Sequence, residues 1–75
     1  MIGDNIKFYR KKNQLTQDDI AEACNVTRQA VSKWENGESL PTVDNLYALS
    51  RLLHTSVDDI LIGEKERDDE PSLSF

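Results

Sequence analysis

Residues 16 to 37 read TQDDIAEACNVTRQAVSKWENG, and this stretch decides the fold. Thr16 carries a hydroxyl able to accept the free amides of a first helical turn, and Asp18 and Asp19 follow at the positive end of the helix dipole. Ile20, Ala21 and Cys24 then share one face at helical spacing. Asn25 tolerates the left-handed conformation that stops a helix, and Thr27 is placed to cap the next one. Beyond Thr27 the apolar positions Ala30, Val31 and Trp34 turn inward, while Arg28, Gln29, Ser32 and Lys33 occupy the opposite face. Asn36-Gly37 ends this helix by the same left-handed chemistry. Two short helices joined by a turn of three or four residues cross steeply, and small Ala21 permits their close approach. The polar face of the later helix is left with nothing inside the protein to bond it.

The flanking sequence supplies three more helices. The first spans about Gly3 to Asn13, with Ile2, Ile6 and Tyr9 as its buried stripe and Phe8 off that stripe. The fourth starts at Thr42, just after Pro41, and carries Leu46, Leu49 and Leu53; His54 or its neighbours are expected to end it, with His54 in a left-handed conformation. Ser56 caps the shortest, Val57 to Leu61, which Gly63 terminates. No stretch shows the strict alternation of a half-buried strand, so the expected class is all-α. Residues 1–63 form the expected domain. Residues 64–75 open with seven consecutive charged residues, Glu64 to Glu70, followed by Pro71, and read as a flexible acidic tail.

Composition narrows the function. A chain of 75 residues can hide about 62% of its surface around one small core, which leaves no room for a large enzymatic cleft. The longest aliphatic run is Ile60-Leu61-Ile62, too short for a membrane span, and the N-terminus lacks the apolar stretch of a secretory signal. The single cysteine, Cys24, cannot form an intrachain disulfide, so a reducing cytoplasm is the expected compartment. With one histidine, one cysteine, no glycine-rich phosphate loop and no paired-carboxylate cleft, neither a catalytic site nor a metal or cofactor site is expected. Formal net charge is −5, which taken alone argues against a nucleic-acid partner. Its distribution is uneven. Residues 1–37 hold six basic and five acidic groups, whereas residues 38–75 hold three basic and nine acidic ones, so net charge does not settle the question for the first half.

The strings Thr16-Gln17-x-x-Ile20-Ala21 and Val26-Thr27-Arg28-Gln29-Ala30-Val31-Ser32-Lys33-Trp34-Glu35-Asn36-Gly37 resemble the lambda repressor/Cro-type (XRE) helix-turn-helix family. Pro41, Leu46-x-x-Leu49 and Ser56-Val57-Asp58-Asp59-Ile60-Leu61 extend the resemblance over about residues 2–63. It implies a compact five-helix DNA-binding domain whose second and third helices form the motif. The implied function is a bacterial or phage transcriptional regulator, a repressor acting as a homodimer on a two-fold double-stranded DNA operator. The third helix would place Arg28, Gln29, Ser32 and Lys33 toward the bases of the major groove. Arginine can grip O6 and N7 of guanine and glutamine can pair with N6 and N7 of adenine, which makes Arg28 and Gln29 the foremost specificity candidates. Gln17, Thr27 and Asn36 would touch phosphates, and Arg10 and Glu35 match positions that pair in similar proteins to orient the fold. A second function class is an antitoxin or partner-binding module, for which the acidic second half suits a basic partner.

Overall fold

The computed structural model describes residues 1–63; the acidic stretch 64–75 lies outside the described residues. Five helices follow one another: α1 (Ile2–Lys12), α2 (Gln17–Cys24), α3 (Arg28–Asn36), α4 (Val43–Leu52) and α5 (Val57–Ile62). All regular structure among the described residues is helical. Four of the five begin with a hydroxyl cap. Thr16, Thr27, Thr42 and Ser56 each hold an extended backbone, and each side-chain oxygen accepts the amide of the residue three positions on. At α2 the arrangement is reciprocal. Asp19 donates its amide to the Thr16 hydroxyl at 3.0 Å, while its carboxylate accepts the Thr16 amide at 2.8 Å. Asp19 is thus a capping partner as well as a charge at the dipole.

Asn25 adopts φ 59° and its amide turns back to the Ala21 and Glu22 carbonyls, which ends α2. Only Asn25, Val26 and Thr27 separate α2 from α3. His54 is left-handed as expected, at φ 56°, and α4 closes one residue before it, with Leu53 as its cap. Gln14, at φ 60°, is a third left-handed non-glycine residue that its side-chain type did not suggest. Helix boundaries shift by a residue or so: α1 starts at Ile2 and stops at Lys12, α5 reaches Ile62, and α3 absorbs Asn36, leaving Gly37 at φ 80° as the left-handed cap.

The core comprises Ile6 and Tyr9 of α1, Ile20 and Ala21 of α2, Val31 and Trp34 of α3, Leu49 and Leu53 from α4 and its cap, and Ile60 of α5. Ile2, Cys24, Val26 and Leu46 pack against it half-buried. Each fully buried aliphatic contributes about 1.5–3 kcal/mol relative to exposure. The packing pairs are α1 with α3 and α5, α2 with α3 and α4, and α4 with α5. Two long-range ties close this frame: Asn5 Nδ2 donates to the Ile60 carbonyl at 2.7 Å, and Asn13 Nδ2 to the Leu53 carbonyl at 3.0 Å. Gly3 lies where α1 crosses the end of α3, so close that a β-carbon there would run into the carbonyl oxygens of Trp34 and Glu35. The result is a fixed platform on which α3 shows its polar side to solvent.

Candidate nucleic-acid interface

The site begins with the two faces of α3. Val31 and Trp34 are buried, which forces Arg28, Gln29 and Lys33 outward, while Ser32 sits half-buried between the faces. Arg28, Gln29 and Ser32 line a shallow hollow of about 320 Å³ together with Gln17, the first residue of α2. A second hollow of about 350 Å³ adjoins it around Gln17 and Arg28, and is walled further by Arg10, Thr16 and Asp18. Gln17 and Arg28 therefore stand at the seam between α2 and α3. Thr27 and Asn36 mark the two ends of the exposed face. Thr27 is exposed with its hydroxyl accepting the Ala30 amide at 3.1 Å, and Asn36 is exposed in the last position of α3.

Beneath this surface lies a buried ionic cluster. Arg10 Nε donates to Glu35 Oε2 at 2.7 Å and Nη2 to Glu35 Oε1 at 3.1 Å, a two-pronged pair with side chains 12% and 3% exposed. Arg10 Nη1 also donates to the Leu15 carbonyl at 3.0 Å. Gln17 Nε2 donates to Glu35 Oε1 at 3.1 Å, so its amide is held from within the fold. One of its two amide hydrogens is committed to Glu35; the second and the carbonyl oxygen remain for the hollow. α1, the start of α2 and the end of α3 are thereby tied through one carboxylate.

A different pair stands at the surface. Arg28 Nε lies 4.0 Å from Asp18 Oδ1, with side chains 67% and 73% exposed. Neither this pair nor the Gln17–Glu35 bond was visible in the sequence. Spacings of ten and eighteen positions across a turn carry no periodic signal.

Two titrations are displaced. The backbone N–H of Thr16, and then its hydroxyl, hold the Asp19 carboxyl below its usual range, and partial burial pushes the Cys24 thiol above its own. A raised thiol pKa disfavours the reactive thiolate, consistent with Cys24 as core filling. Among the described residues no cluster of histidine, cysteine and carboxylate groups could hold a metal, and no helix is long and apolar enough to cross a membrane.

Residues 6–60 match the helix-turn-helix family. The chain belongs to that family, in its lambda repressor/Cro (XRE) branch. DicA, an HTH-type transcriptional regulator of Escherichia coli K12, is 40% identical over 72 residues, covering 96% of this chain and 53% of DicA. The c2 repressor of Salmonella phage P22, solved with a synthetic operator, superposes with a TM-score of 0.79 at 36% identity over 85% of this chain and 97% of that one. The N-terminal DNA-binding domain of SinR from Bacillus subtilis superposes with a TM-score of 0.77 at 31% identity, over 85% of this chain and 94% of that domain. This helix-turn-helix chain spans about half the length of DicA and 30% of the full P22 repressor.

Proposed function

We propose that this helix-turn-helix domain binds double-stranded DNA sequence-specifically, with α3 in the major groove, and regulates transcription as a repressor. The observation that carries the reading is the convergence of Gln17, Arg28, Gln29 and Ser32 on one open, polar hollow at the α2–α3 seam, where Gln17 is held from within by Glu35 and Arg28 faces Asp18 across an exposed 4.0 Å gap. Arg28 and Gln29 read base edges, and Ser32 and Lys33 lie along the same face one turn on. Gln17 and Thr27 meet phosphates at the rim, where free amides at the start of α2 and α3 favour an anion, and Asn36 meets one with its side-chain amide at the far end of α3. The P22 c2 repressor, solved in complex with a synthetic operator, supports DNA binding by this domain.

The working unit is a homodimer on a two-fold operator. One module presents few contacts, and two copies on half-sites about 34 Å apart add their affinities through one bound complex. Leu40 before α4, Val43 and Tyr47 on α4, and Leu61 and Ile62 on α5 expose apolar side chains and are the candidate pairing surface. The expected compartment is the cytoplasm, where such DNA is found.

Selection from a randomised duplex library with the purified chain tests this reading. An enriched inverted repeat, with half-sites one helical turn apart, is the expected result. Recovery of no enriched sequence would contradict it and shift weight to a partner-binding role.

A further inference from the structure

We infer that Asp18 is a positioning residue for base recognition: it steers the Arg28 guanidinium so that its terminal nitrogens face a guanine and not the DNA backbone. The inference rests on the base-reading role of Arg28. Asp18 lies in the first turn of α2 and Arg28 in the first turn of α3, and the three-residue turn brings both to the lining of the same hollow. The carboxylate comes within 4.0 Å of Arg28 at Nε, near the root of the guanidinium. A guanidinium engaged at Nε can present Nη1 and Nη2, the two donors that match O6 and N7 of guanine when it approaches end-on.

Placement decides what such a weak pair can do. Both side chains are about two-thirds exposed or more, so the pair adds little to folding. Its charge still matters at the duplex. The Asp18 carboxylate competes with DNA phosphates for Arg28. An arginine released from Asp18 adds a backbone contact that every sequence offers. An arginine held by Asp18 gains most where a guanine supplies two acceptors at the reach of its terminal nitrogens. Asp18 therefore lowers affinity for random DNA while sparing the cognate site, and its effect passes through Arg28.

The test uses the full chain, the duplex recovered by selection and a scrambled duplex of equal length and composition. Binding is measured from low to moderate salt for the wild type, D18N, D18E, R28A and the D18N/R28A double variant. D18N is expected to bind the scrambled duplex about 3- to 10-fold more tightly at low salt, with a salt slope steeper by about one unit. Discrimination between the two duplexes should fall by a similar factor, confined to the base pair whose identity R28A ceases to sense. D18E should restore most of the discrimination and the wild-type melting, while D18N should lower melting only by the loss of one negative charge at the start of α2. In the R28A background, D18N should leave discrimination unchanged, as expected for one residue acting through another. A D18N variant whose discrimination matches wild type, or whose loss is the same with and without Arg28, overturns the steering role and leaves base reading by Arg28 intact. If R28A keeps the wild-type preference at every base pair, base reading by Arg28 falls and steering falls with it.

Discussion

Arg10 and Arg28 each stand beside a carboxylate, and the contrast between the two pairs separates scaffold from reader. Arg10 meets Glu35 with two short hydrogen bonds in a buried setting, whereas Arg28 faces Asp18 at 4.0 Å in open solvent. Burial makes the first pair obligatory: once the carboxylate is out of water, the hydrogen bonds it accepted from water must be replaced by protein donors. Exposure leaves the second pair loose enough to be exchanged for another ligand. The same residue types thus serve opposite ends, and the burial of α3's inner face decides which.

The contrast can be broken most severely at Glu35. Glu35→Ala strands the Arg10 charge and frees the Gln17 amide, and is expected to cost about 3–5 kcal/mol, read by denaturant or thermal unfolding. At about 4–8 °C per kcal/mol for a domain of this size, the melting temperature falls far enough to see by circular dichroism. A loss below about 1 kcal/mol would mean that the cluster is not holding α1 to α3.

Gly3→Ala attacks the same junction through packing. The added methyl would meet two backbone carbonyls, which cannot rotate away as a side chain would, so α1 must shift relative to α3. We expect a loss of about 1–3 kcal/mol with secondary structure retained, measured by denaturant titration. The glycine was not readable in advance. Inside a helix it looks like a mild weakness, and the close approach of α1 to the end of α3 is a property of the assembled fold.

What the sequence did show follows from how local each signal is. The hydroxyl caps at Thr16, Thr27, Thr42 and Ser56 and the left-handed stop at Asn25 involve atoms within four residues, so residue type alone announces them. The inner and outer faces of α3 follow from spacing in the same way. Gln17 could be placed at the start of α2, but its bond to Glu35 spans eighteen positions and needs the crossing angle of the motif. The ties from Asn5 to Ile60 and Asn13 to Leu53 are more remote still. Exposed Leu40 and Val43 carried no periodic signal, because their setting depends on which helix α4 packs against.

Thr27 lies on the border between scaffold and reader. Thr27→Ala removes the α3 cap and is expected to cost about 1 kcal/mol of stability. If Thr27 also meets a phosphate, binding to cognate and scrambled duplexes should weaken by a common factor, seen by fluorescence anisotropy. A loss restricted to one sequence would place Thr27 with the base readers.

The smallest expected effect is a titration. The Asp19 carboxyl is held below its ordinary value by the Thr16 amide and hydroxyl, so its contribution is present above that ordinary value and fades as pH falls through the lowered one. Thr16→Ala removes the hydroxyl but not the amide, and should move the Asp19 midpoint part of the way upward, followed by NMR of the side-chain carboxyl. An unchanged midpoint would assign the shift wholly to the backbone amide.

The division between scaffold and reader is tested most directly by measuring stability and sequence preference together for Arg10→Ala and Arg28→Ala. Arg10→Ala should lose several kcal/mol of unfolding free energy by leaving Glu35 buried without its cation. Arg28→Ala should keep its unfolding free energy within about 0.5 kcal/mol, while giving up about 1–3 kcal/mol on the selected duplex and its preference at one base pair. An Arg28→Ala protein that retains the full preference, or an Arg10→Ala protein as stable as wild type, would contradict the account.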